Sequence, residues 1–155
     1  RIPKLSIGII FILFLTIFSC DKQRVYENYY SMDGNGWDKD SILTFSVEIK
    51  DITSNYNIFL NCRNLENYPY SNLWFYVDII SPNATAIRDT VEYTLAQPNG
   101  KWIGRGTSGV YANQFVYRSN VFFPSSGIYE ISIQHGMRND LLKGVKDIGL
   151  RVEKK

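Results

Sequence analysis

From Ser41 onward the chain alternates between apolar and polar positions. Leu43, Phe45, Val47 and Ile49 interleave with Thr44, Ser46, Glu48 and Lys50. Successive side chains of a strand point to opposite faces, so this pattern predicts a half-buried strand. Tyr56, Ile58, Leu60 and Cys62 repeat it, with Asn57, Asn61 and Arg63 opposite. Leu73–Ile80 is a continuous apolar and aromatic run broken only by Asp78, so both of its faces carry large side chains. Val91, Tyr93 and Leu95 align, as do Tyr129, Ile131 and Ile133, and then Ile148, Leu150 and Val152. Val110–Tyr117 and Val121–Phe123 read as two further strands. Ser81-Pro82-Asn83, Pro98-Asn99-Gly100 and Pro124-Ser125-Ser126-Gly127 carry turn chemistry between the runs, and His135–Lys143 reads as irregular or as one short helical turn. Helical periodicity is almost absent. The prediction is an all-β fold: an antiparallel β-sandwich, jelly-roll-like or immunoglobulin-like, of about eight or nine strands, with a barrel as the weaker alternative.

The first twenty residues follow a different rule. Arg1 and Lys4 give a basic start, expected to follow an initiator Met, and Leu5–Phe18 is then almost wholly apolar. Such a run is shorter than the roughly 20 residues a spanning helix needs, and it fits a secretory signal. Ile17-Phe18-Ser19-Cys20 resembles a bacterial lipobox, with Phe18 a bulky occupant of its tolerant position. The expected organisation is a lipoprotein signal peptide over 1–19, a lipidated Cys20 with a polar, Tyr-bearing tether over 20–40, and a β-sandwich domain over 41–155. A doubly or triply acylated Cys20 would hold the membrane stably, because each buried CH₂ contributes about 0.8 kcal/mol.

Charge narrows the partners. The chain has 17 Lys and Arg against 15 Asp and Glu. Arg1 and Lys4 account for the whole excess, so the remainder is balanced and offers no basic field for nucleic acid. With Cys20 committed to lipid, Cys62 has no partner within the chain and is expected as a small buried hydrophobe.

The catalytic inventory is thin. His135 is the one histidine and is expected at the surface, solvated or hydrogen-bonded. No catalytic residue, metal ligand or cofactor is assigned. Gly104-Arg105-Gly106-Thr107-Ser108-Gly109 matches a dinucleotide fingerprint literally. That fingerprint needs a helix after it, whereas a β-like segment follows, so a loop is the expected reading. A carboxylate hydrolase would require Glu66, Asp78 and His135 to meet in one pocket. Trp74 and Tyr76 sit in the register opposite Leu73, Phe75 and Val77. If the Leu73 face is core, this pair faces outward as a binding face for a protein or a sugar ring; if the strand is covered on both sides, it is buried.

Several separated segments carry a family resemblance. They are Arg63–Trp74, Gly100-Lys101-Trp102-Ile103-Gly104, Gly127–Gln134, Met137-Arg138 and Gly144–Lys154, in that order and together with Cys20. The chain resembles the gliding-motility lipoprotein GldH family of Bacteroidota. The resemblance implies an envelope lipoprotein, with an outer-membrane position facing the periplasm, that supports gliding motility or type IX secretion. It implies protein components of that machinery as partners and no enzymatic activity; Cys20 is the one residue it carries over. Asp40-Ser41-Ile42 and Asp89-Thr90-Val91 also look like the O-glycosylation motif of that phylum, with Ser41 and Thr90 as acceptors. A carbohydrate-binding module using Trp74 and Tyr76 is the alternative function.

Overall fold

The alternating runs become strands in a computed structural model that describes residues 21–155. The segment 1–19 expected as a signal peptide and Cys20, the expected lipid acceptor, lie outside the described residues. Ten strands follow in order: β1 (Arg24–Ser31), β2 (Trp37–Asp38), β3 (Leu43–Ile49), β4 (Asn55–Leu65), β5 (Asn72–Ile80), β6 (Ala86–Thr94), β7 (Val110–Phe122), β8 (Gly127–His135), β9 (Leu141–Leu142) and β10 (Val145–Lys154). They build two four-stranded antiparallel sheets, ordered β1-β10-β4-β7 and β3-β8-β5-β6, and a small β2-β9 pair. No helix occurs among the described residues. The all-β sandwich follows from the period-two pattern, because each strand has one apolar face to bury and an opposing sheet buries it.

Both sheets contribute to one core. Ile58, Leu60, Cys62, Ile148, Leu150 and Val152 come from the first sheet, while Phe45, Val47, Phe75, Val77, Ile131 and Ile133 come from the second. Tyr93 and Phe115 stack across the sheets with ring centroids 4.3 Å apart. Cys62 is buried as expected, and burial pushes its thiol pKa up, which keeps it inert.

Four differences from the sequence reading have physical reasons. The stretch read as a tether holds β1 and β2. β1 pairs with β10 from Arg24↔Glu153 to Ser31↔Asp147, and Trp37 is almost fully buried. An edge strand is half exposed, so β1 shows weak alternation and reads as polar. Val110–Tyr117 and Val121–Phe123 form a single strand. The polar residues between them are absorbed where the β4–β7 register shifts around Ile58, and Asn120 takes a left-handed φ of 57°, which asparagine tolerates. The segment expected to be irregular or helical contains β9, paired with β2. His135, expected at the surface, is buried on the inner face, where its ring lies edge-on to Trp37 at 5.2 Å. It ends a strand whose inward register is Tyr129, Ile131 and Ile133, and that register continues to position 135.

Candidate functional site

β5 is flanked by β6 on one side and β8 on the other, with Phe75 opposite His135 and Val77 opposite Ile133. Leu73, Phe75 and Val77 are fully buried. The pleat therefore sends Trp74 and Tyr76 outward, where they are 37% and 42% exposed. Of the two readings open from sequence, the outward one holds.

The pair lines a groove of about 540 Å³ together with Tyr70, Asn72, Thr90 and the Gly136–Arg138 turn. That turn is held against β5 by two hydrogen bonds to the Trp74 main chain. The Gly136 N–H donates to the Trp74 carbonyl at 2.7 Å, and the Trp74 N–H donates to Met137 Sδ at 3.4 Å. Glycine at 136 lets the turn approach closely, since a Cβ there would sit 3.2 Å from Trp74 Cβ and 3.3 Å from Tyr76 Cζ, tighter than an ordinary contact. The Tyr76 ring thus rests against bare backbone. The far wall is fixed by the Tyr70 hydroxyl, which donates to Asn139 Oδ1. On the β6 side Asn72 Nδ2 donates to Glu92 Oε1 at 2.6 Å.

Polar groups with no protein partner border the rings. Among the described residues, Arg138 forms no ion pair, and neither the Tyr76 nor the Thr90 side chain forms a hydrogen bond. Two aromatic surfaces beside a free guanidinium and free hydroxyls suit a ligand that is flat or apolar on one side and polar on the other. Sequence reasoning found Trp74 and Tyr76 by register. It missed Tyr70, Asn72 and Arg138, because the turn after β8 folds back onto β5 only in the tertiary structure.

The other candidates do not gather. Asp78 lies on the outer face of β5, paired with Arg88 at 2.6 Å, and that guanidinium lowers its pKa. His135 lies on the inner face, with Nε2 donating to the Trp37 carbonyl at 3.1 Å and Nδ1 unpartnered. Glu66 sits in the other sheet's terminal loop, its N–H donating to Gly109 O. The acid–histidine cluster that a hydrolase reading required does not form. No group of three or more potential metal ligands occurs among the described residues. The Gly104–Gly109 segment is a loop closed by an Arg105–Ala112 bridge and followed by β7, not by a helix. Ser41 and Thr90 are both exposed.

The opposite outer face, on the first sheet, is arranged differently. Arg151 is held by Asp21 at 2.5 Å, Glu153 at 2.9 Å and Glu27 at 3.0 Å, and these carboxylates raise its pKa further. Arg63 forms a two-pronged pair with Asp147, whose side chain is buried.

The model of the GldH lipoprotein family matches residues 24–152. Over 153 residues the chain is 41% identical to the gliding motility lipoprotein GldH homolog of Christiangramia forsetii, covering 94% of this chain and 93% of the relative. It is 36% identical over 155 residues to the gliding motility lipoprotein GldH of Flavobacterium johnsoniae, covering 96% of each. Among solved structures, a 4-O-methyl-alpha-glucuronidase with specificity for decorated arabinogalactans superposes with a TM-score of 0.44 at 16% identity, over 86% of this chain and 18% of that one. A likeness at that level transfers neither fold nor activity.

Proposed function

The chain belongs to the GldH lipoprotein family, and on that premise we propose that it is a non-enzymatic envelope lipoprotein supporting gliding motility and type IX secretion. Lipid on Cys20 holds it in the membrane, on the periplasmic side of the outer membrane, after removal of residues 1–19. The sandwich then acts as a docking module. Confinement to a thin shell raises its effective concentration near membrane partners without any new contact.

The observation that carries this reading is the Trp74–Tyr76 groove with Arg138, which forms no ion pair among the described residues. An exposed aromatic pair beside a free cation is the composition of a protein-binding hot spot. Replacing the chromosomal gene by Trp74→Ala/Tyr76→Ala tests it, with colony spreading and secreted protein measured against wild type at equal protein level. Loss of both activities is expected, with loss of cross-linked machinery components. Normal spreading and secretion would sink the docking role of this face.

A carbohydrate ligand is the second reading. Thr90 and Tyr76 supply free hydroxyls at the edge of the aromatic surface, the arrangement that stacks and hydrogen-bonds a sugar ring. Binding on a glycan array that disappears in Trp74→Ala would favour it over the protein partner. Exposed Ser41 and Thr90 are proposed as O-glycan acceptors; an intact mass equal to lipid plus polypeptide would dismiss that.

A further inference from the structure

One end of the sandwich collects the chain's entry point and five neighbouring segments. The β1–β10 ladder starts at Arg24↔Glu153, and Lys154 N–H donates to Gln23 O. Lys155 N–H donates to Asn55 O, and Asn55 pairs with Phe122. Lys154 Nζ reaches Asp51 Oδ2 at 2.7 Å, and Ile49 pairs with Gly127. A Cβ on Gly127 would strike Pro82 Cγ at 2.9 Å, so the 81–85 turn abuts the same place. Cys20 directly precedes Asp21, the first residue here.

This end is apolar at its tips. Phe122 is 59% exposed, Ile128 55%, Ile80 and Ile87 each 45%, and Ile52 and Val25 also lie open. The projection of Ile52 is built in. Asp51 accepts from Thr53 N at 2.8 Å, Thr53 Oγ1 at 2.6 Å and Ser54 Oγ at 2.7 Å, besides Lys154. The turn is therefore rigid, and Ile52 stands at its crest. Between the edges of β6 and β7 a crevice of about 230 Å³ opens on this same end, lined chiefly by Ile58, Ile79, Ile87, Phe122 and Phe123.

Two lysines accompany these tips. At this end Asp21, Glu48, Asp51 and Glu153 are each held in an ion pair, while Lys22 and Lys155 are paired with no acid among the described residues. Glu130, nearer this end, is bonded to Ser46 and not to a cation. The far end is mixed: among the described residues it carries acids without an ion-pair partner, such as Asp33 and Glu66, beside equally unpaired bases, such as Arg138, Lys143 and Lys146. Apolar crests beside two unpaired lysines, at the end where the chain enters from Cys20, suit an anionic lipid surface.

We propose that this end seats directly on the lipid surface, with Phe122, Ile52 and Ile128 entering the headgroup–acyl boundary and Lys22 and Lys155 facing anionic headgroups. The domain then stands upright on the membrane, with no slack tether. The Trp74–Tyr76 groove, toward the β5 start, is turned away from the bilayer and toward partners. The seating rests on the proposed lipid anchor at Cys20 and fixes an orientation that an anchor alone leaves free.

The test uses the lipidated full chain in vesicles of phosphatidylethanolamine and phosphatidylglycerol. Cys62 is buried and inert, so a thiol-reactive, polarity-sensitive fluorophore reports on Phe122→Cys, on Ile128→Cys, or on Asn99→Cys at the far end. Brominated lipid is the quencher, and flotation is read in parallel. A blue shift and quenching at 122 and 128, with neither at 99, is the expected result. Floating chains with 122 and 128 no more quenched than 99 would overturn the seating while leaving the anchor intact. Chains that fail to float would remove the anchor and this orientation with it. Because 122 and 128 are exposed on different sheets, loss of fold in one variant leaves the other to decide.

Discussion

Each outer face of the sandwich lays a tyrosine ring against a glycine, and the two sites end differently. On the first sheet Tyr29 covers Gly149, where a Cβ would sit 2.5 Å from the ring. Its hydroxyl donates to Glu27 Oε1 at 3.0 Å and accepts from Asn61 Nδ2 at 2.9 Å. Burial, and then Glu27, push its pKa upward. On the second sheet Tyr76 rests against Gly136, and its hydroxyl has no protein partner among the described residues. On the first face Arg63 and Arg151 are committed to four carboxylates, and the polar atom left over is Asn61 Oδ1, buried without a partner among the described residues. The second keeps a guanidinium and two rings uncommitted. A face whose polar groups are spent on one another contributes to the fold; one that leaves them free in a concave site has capacity for a ligand.

That contrast breaks most sharply at Arg63. Arg63→Ala strips the partner from Asp147, a carboxylate with almost no solvent access. An unpaired buried charge costs roughly 3–5 kcal/mol, discounted here to about 2–3 because the guanidinium is itself partly exposed. A drop of that size in urea-unfolding free energy is expected; an unchanged midpoint would show that the pair contributes nothing. Arg151→Ala comes next, at about 2 kcal/mol, since one half-screened charge loses three charge-assisted partners. Amide exchange in β1 should accelerate with it, because Asp21 and Glu27 belong to the entry of that edge strand.

Acid should weaken the molecule in two stages. Burial depresses the folded pKa of His135 below 6.5, so the unfolded chain takes up the proton first and stability falls as pH drops through about 6.5 toward the folded value. Arg88 lowers the carboxyl pKa of Asp78, and Arg118, then Tyr117, lower that of Asp89. These groups contribute stability that is present above the ordinary value of 3.8 and is lost as pH falls through their folded values. Urea midpoints from neutral to acid pH should show both steps, and His135→Gln should remove only the upper one. Trp74→Ala is placed last. Its side chain is more than a third exposed, so unfolding free energy should fall by about 1–2 kcal/mol, less than at Arg63. Partner capture should nevertheless fail. A large stability loss with capture retained would reverse the roles assigned to the two faces.

Some of this was legible residue by residue. The alternation of Leu43–Ile49 and Ile148–Val152 specified strands and their buried faces, since one face of each had to leave water. The same parity placed Trp74 and Tyr76 outward once Leu73, Phe75 and Val77 were core. β1 was illegible for the converse reason. An edge strand held by a ladder to β10 needs few apolar residues, so Arg24–Ser31 looked like polar linker. His135 was misjudged because its residue type argued for solvent, while its position two residues beyond Ile133 argued for the core, and the core prevailed.

The sequence by itself determined the fold class, the inner face of most strands, the burial of Cys62 and the family, because these depend on local periodicity and on segments read in order. Tertiary structure alone decided that Gly136–Arg138 folds back to wall a groove over β5, and that Arg63 meets Asp147 from another strand. It also brought the apolar tips of three separate turns to the end where the chain enters. Those outcomes join residues tens of positions apart, and only the packing of one sheet on the other sets the distances between them.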